Sequence, residues 1–142
     1  MSGLHGAVYV QGGTRGLASY HFERVEADGA VAAYISYESP ACDVWPALED
    51  GSRPPPRVAF RGGRFDAAAR VFTGSVEWYP TRWRGDAVWH YTMVFSADYR
   101  TIEAGRVTAY ARVEADGVPV AVYEYGMQLC YERMMAEHSF GA

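Results

Sequence analysis

The chain offers four histidines, two cysteines and seventeen carboxylates for proton transfer, nucleophilic attack or metal ligation. It has no lysine, so Schiff-base chemistry and a lysine general base are excluded. It has no asparagine, so no N-glycosylation acceptor exists. His5 and His138 lie near the termini and read as solvated. His21 and His90 lie inside strongly alternating segments. His90 shares a face with Thr92, and Glu77 stands on the preceding segment. A Glu77–His90 acid–base pair forms if those segments are neighbouring strands in a suitable register. His90, Glu77 and His21 are therefore the candidate catalytic residues, suited to an isomerase, cyclase or lyase with an interior tyrosine as a further acid–base group. The competing reading is structural, because strand histidines usually serve packing. Ser19 and Ser75 have no nucleophile-elbow context. No Cys/His spacing fits zinc, and neither a metal nor a cofactor is expected.

A second kind of chemistry is binding. The stretch Trp78-Tyr-Pro-Thr-Arg-Trp-Arg84, with Trp89 downstream, puts Arg82, Trp83 and Arg84 on one loop. Arginine grips carboxylates and phosphates bidentately and stacks on aromatic faces. Such a loop could hold the anionic head of an otherwise apolar ligand. It could equally be a solvated edge with Trp83 packed over the end of the fold. Charge is distributed unevenly around it. Residues 1–52 carry two arginines against seven acids, 53–84 seven against two, and 85–142 four against eight. The basic middle segment is either neutralised by its neighbours or forms an anion-facing patch. The net charge of −4 argues against a nucleic-acid partner, whose affinity rests on phosphate neutralisation. Gly12-Gly-Thr-Arg-Gly16 lacks the lysine and the strand–loop–helix setting of a phosphate loop and reads as a flexible turn.

The elements that must position these groups are strands. The chain of 142 residues suits one domain, 1–142. Period-two alternation of β-branched and aromatic residues predicts strands over 7–11, 17–25, 30–37, 57–65, 71–79, 86–95, 102–113 and 118–131. Asp28-Gly29 suits a hairpin turn. Val25–Gly29 and Val113–Gly117 are the same five residues, which two similar hairpin turns explain. Gly105 reads as a bulge or kink. The proline-rich segment 38–56 reads as a rigid, packed-down loop able to dock a protein partner or a second copy of the chain. Residues 132–142 read as a short helix or frayed tail. No apolar run is long enough for a membrane span. Met1–Val10 shows no signal-peptide pattern, so the expectation is a cytoplasmic protein with Cys42 and Cys130 reduced.

Eight consecutive antiparallel strands predict an all-β fold, a single up-and-down barrel, with a two-sheet sandwich as the alternative. Small residues (Gly74, Gly105, Ala109, Ala111) and large ones (Trp78, Trp89, Tyr91, Tyr123, Tyr125, Met127) fall where an interior would lie. That contrast suits either a lined pocket or a filled core. The stretches Phe65–Trp78, Trp89–Phe95 and Ile102–Val107 resemble calycin-type barrels of the lipocalin and fatty-acid-binding kind, without the lipocalin Gly-x-Trp. The resemblance implies a barrel with a ligand-sized interior open at one end. The leading expectation is a non-catalytic or weakly catalytic barrel that binds a small hydrophobic or anionic ligand. Trp78, Trp89, Tyr91, Tyr123, Tyr125 and Met127 would form its walls, and Arg82, Trp83 and Arg84 its mouth. The alternatives are an assembly module using the 38–56 loop, and an acid–base enzyme on the same barrel.

Overall fold

The computed structural model describes residues 3–11, 18–37, 56–77, 87–111, 121–126 and 131–133, with the backbone alone at 11, 87, 111, 121–126 and 131–132. These residues form ten strands and no helix. The strands are β1 (Ala7–Gln11), β2 (Ser19–Val25), β3 (Val31–Ser36), β4 (Arg57–Ala59), β5 (Arg61–Asp66), β6 (Val71–Val76), β7 (Ala87–Phe95), β8 (Ile102–Ala111), β9 (Ala121–Gly126) and β10 (Tyr131–Arg133). Every ladder is antiparallel. They make two five-stranded sheets, β10-β1-β2-β3-β4 and β5-β6-β7-β8-β9. With no helix among the described residues, none is long and apolar enough to cross a membrane.

Alternation builds both sheets. On β7, Trp89, Tyr91, Met93 and Phe95 are buried while His90, Thr92 and Val94 are half-buried on the other face. On β6, Phe72, Gly74 and Val76 alternate in the same way with Thr73 and Ser75. The buried faces oppose each other. Phe22 of the first sheet meets Phe72 at 5.0 Å and Phe95 at 5.5 Å, and Tyr20 meets Tyr91 at 6.2 Å, all edge-on. Each such aromatic pair contributes about 0.5–1.5 kcal/mol beyond its buried area.

Two of the expected eight strands are divided. The 57–65 segment is β4 and β5, with Phe60 between them. The 118–131 segment is β9 and β10, with 127–130 outside the described residues. Strand β4 pairs with β3 and β5 with β6, so the chain passes from one sheet to the other within a single extended run. Hydrogen bonds hold that crossing to β3. Phe60 N–H donates to Ala33 O, Phe65 N–H donates to Gly29 O, and Ala30 bridges Arg64. Gly62-Gly63 permits it. Gly62 takes a positive φ of 63°, and a Cβ at Gly63 would fall 2.6 Å from Val31 O. Strands β9 and β10 run in one direction but belong to different sheets. Among the described residues the ladders therefore form two sheets rather than one continuous ring. The expected bulge at Gly105 is also displaced. Gly105 pairs regularly with Met93, and the irregularity falls where Phe95 opposes Ile102, leaving Glu103 as the extra residue. Glu132 and Arg133, expected in the tail, belong to β10.

The topology gives the molecule two unlike ends. At one end lie the turns 26–30, 67–70 and 96–101 and the N-terminal turn. Gly29 N–H donates to Glu26 O with a φ of 92°, as the Asp-Gly reading requires. At the other end the chain leaves β1, β3, β6 and β8 and re-enters at β2, β4, β7 and β9. The intervening 12–17, 38–55, 78–86 and 112–120 lie outside the described residues.

Candidate functional site

The interior changes character between these two ends. Toward the turns it is solid. Phe22, Phe72 and Phe95 are wholly or almost wholly buried, as are Leu4, Met93 and Ile102. Tyr9 is also buried here, and its hydroxyl donates to Tyr99 O at 2.8 Å. Burial holds the Tyr9 phenol far above its ordinary pKa, so it remains a donor. The Tyr99 ring covers Gly3 and stacks on Phe95, closing this end.

Toward the other end the buried rings carry polar tips. Tyr20, Trp89 and Tyr91 line this half together with Ile35, Val58, Phe60, Val76 and Ala109. Phe60 meets Tyr91 at 5.3 Å and Phe72 at 5.0 Å, edge-on in both cases. Gly74 sits opposite Tyr91, but it is no empty slot. A Cβ there would fall 2.9 Å from Phe72 Cζ and 3.1 Å from Phe60 Cδ1. Trp89 lies between Val76 and Ala109 in register. The backbone pairs Tyr123 with Ala109 and Tyr125 with Val107. Of the expected wall, Trp89 and Tyr91 are thus buried between the sheets, and Tyr123 and Tyr125 stand on the strand next to β8. Trp78, Met127, Arg82, Trp83 and Arg84 lie outside the described residues, as does the 38–56 loop apart from Pro56.

The candidate catalytic residues lie elsewhere. His21 and His90 both occupy the faces turned away from the core, and each is bonded to a serine. Ser19 Oγ lies 2.9 Å from His21 Nε2, and Ser75 Oγ lies 3.1 Å from His90 Nδ1. The first pair sits on one strand two residues apart. Its imidazole stacks on Tyr34 at 4.5 Å and 7°, and the Arg57 guanidinium lies 4.8 Å from the Tyr34 ring centre. The second pair is cross-strand, with Tyr110 edge-on to His90 at 6.4 Å. Partial burial lowers the His90 pKa, so its ring is neutral at pH 7. Strands β6 and β7 are neighbours, as a Glu77–His90 pair requires, but the register sets Ser75 opposite His90. Glu77 lies one residue beyond the Val76–Trp89 pair and bridges to Arg61 at 3.3 Å. An acid–base enzyme using histidines that face the interior does not fit this placement. The Ser-x-His spacing in one strand was the available signal for the first pair. The second is set by register, which no local spacing reveals.

The arginines of the basic segment that are described each have a partner in the chain. Arg57 lies over Tyr34 and Arg61 pairs with Glu77. Arg64 donates to Asp28 O and Arg70 Nε to Phe95 O. Arg61 thus meets a carboxylate, Arg64 and Arg70 meet backbone carbonyls, and Arg57 meets an aromatic face. A cleft of about 600 Å³ between the 26–30 and 67–70 turns is lined by Glu26, Asp28 and Asp66 over Val25 and Phe65. Its carboxylates serve their own surroundings. Asp28 accepts from Ala30 N–H, Asp66 from Ala68 and Ala69 N–H, and Glu26 pairs with Arg24. Among the described residues no group of three or more His, Cys, Asp or Glu is placed to hold a metal. Comparison of the chain with protein-family models, with curated proteins and with solved structures gives no match.

Proposed function

We propose that the protein is a non-catalytic, calycin-like binding barrel that takes a small hydrophobic, anionic molecule between its sheets from the end away from the tight turns. In this reading β4–β5 and β9–β10 are two bent strands, each shared by both sheets, and the ten strands are the eight of an up-and-down barrel. The alternation of strand directions and the hydrogen bonds tying β5 to β3 support it. The observation that carries the functional reading is the contrast within the core. One half is closed by apolar rings and by Tyr9, whose hydroxyl is already bonded to Tyr99 O, and the other is lined by Tyr20, Trp89 and Tyr91, whose polar tips suit an amphiphilic guest. The anionic group would meet Arg82 and Arg84, whose segment joins β6 to β7 at that end. Both candidate histidines turn away from the interior, which disfavours an acid–base reaction there.

The test is tryptophan fluorescence titrated with a panel of hydrophobic acids and pigments, with thermal melting alongside. Saturable quenching or a spectral shift by one member, with a raised Tm, is the expected result. A flat response to every member, in emission and in Tm, overturns the reading.

A further inference from the structure

The ladder between β1 and β2 ends at the Ala7–Phe22 pair. Past that point β2 continues to Val25 with no partner strand on that edge among the described residues, and its irregular step falls between Phe22 and Arg24. A backbone donor there needs an acceptor. The acceptor is a side chain: Val25 N–H donates to His5 Nδ1 at 3.0 Å. The imidazole thus takes the place of a missing strand carbonyl. It does so from the N-terminal turn, which carries the fully buried Leu4 into the core. Other bonds of this turn include Gly6 N–H to Phe22 O at 2.8 Å, Ala7 N–H to Leu4 O at 3.0 Å, and the Arg133 guanidinium donating to Gly3 O at 2.8 Å.

We propose that His5 is an acid-released latch, holding the N-terminal turn and the Leu4 plug over the closed end of the core while its ring is neutral. A neutral imidazole accepts at Nδ1 only as the Nε2–H tautomer. Once protonated, both ring nitrogens are donors, and Nδ1–H would point at Val25 N–H. The contact therefore exists while the ring is neutral and is lost when the ring is protonated. The charged groups on the elements around it are Glu23, Arg24 and Glu26 on β2 and its turn, and Arg133 on β10. Arg24 and Glu26 pair with each other at 2.7 Å, and Arg133 is engaged at Gly3 O. Tyr99, packed on Gly3, and Tyr9, bonded to Tyr99 O, are the neighbouring phenols, and Asp98 and Arg100 lie in the same turn as Tyr99. Release leaves the two sheets and their ring cluster intact and uncovers the end of the core at the tight turns.

Amide-resolved hydrogen exchange tests the latch in the intact chain at pH 7.5 and 5.0, as protection factors corrected for intrinsic rate. Losing one hydrogen bond should lower protection at Val25 and Leu4 about fivefold or more in acid, with Phe72 and Met93 unchanged. In H5Q, which cannot titrate, protection at Val25 and Leu4 should show no such pH dependence. The wild-type chain supplies a second readout, since the His5 ring and the Val25 amide shift should titrate with one midpoint. Unchanged protection in wild type, the same acid loss in H5Q, or distinct midpoints for ring and amide would each overturn the proposal.

Discussion

Phe72 and Tyr91 sit on adjacent strands of the same sheet, yet they belong to halves of the core with different linings. Around Phe72 the walls are mostly hydrocarbon rings and aliphatic chains, the one deeply buried hydroxyl, that of Tyr9, is bonded to Tyr99 O, and Leu4, Phe65 and Tyr99 lie across the end. Around Tyr91 the rings carry hydroxyl and indole groups, and the strands run on toward the long connections. A half packed with rings, whose one deeply buried hydroxyl is already bonded within the chain, should carry the stability. A half whose rings end in polar groups can exchange one partner for another at small cost. Under the proposed function, stability and recognition are separated along the strand direction.

Truncation separates the halves most sharply. Phe72→Ala or Phe95→Ala should cost about 3–5 kcal/mol in urea unfolding, because each leaves a cavity among rings with no space to collapse. The folded fraction should bind the proposed guest as before. If either variant weakens binding as strongly as it weakens folding, the division fails. Gly74→Ala comes next. Its Cβ would press on Phe72 and Phe60 at the boundary between the halves, an overpacking cost of about 1–3 kcal/mol. A neutral effect on Tm would show that Phe60 moves aside easily and that the boundary is soft. Tyr91→Phe removes one oxygen and should change stability by no more than about 1.5 kcal/mol, while lowering affinity for a polar-tipped guest. Equal affinity in both proteins would take Tyr91 out of the site.

The smallest effect concerns the outer faces. Burial lowers the His90 pKa in the folded state, so the unfolded chain binds more protons as pH falls through the ordinary histidine range. His90 therefore subtracts stability in acid and is without that effect above the range. His90→Gln should flatten the loss of urea midpoint between pH 7 and 5. An unchanged slope would mean that the outer face imposes no penalty on a charged imidazole.

Much of this arrangement could be read from residue order. Strict alternation over Trp89–Phe95 and over Phe72–Val76 placed the buried rings on one face and His90 with Ser75 on the other. Asp28-Gly29 and the 66–70 and 96–101 segments marked the turns that close one end. What could not be read depends on long-range geometry. Nothing around Phe60 except Gly62-Gly63 marks the point where a strand changes sheets. The register that sets Ser75 rather than Glu77 opposite His90 is fixed by turns and bulges. The role of His5 was hidden because its partner is a backbone N–H twenty residues away, on a strand that outruns its neighbour. The arginines cluster in sequence, which kept an anion-facing patch open beside a neutralised segment. In space Arg57, Arg61, Arg64 and Arg70 go to four different partners.

The central claim is that ligand response is confined to one half of the core. Aromatic-side-chain NMR during titration with a long-chain fatty acid measures it directly. Shifts at Tyr20, Trp89 and Tyr91, with Phe65, Phe72 and Phe95 unmoved, are predicted. Shifts that spread evenly through both halves, or that appear first at the Phe65–Phe95 end, would contradict it.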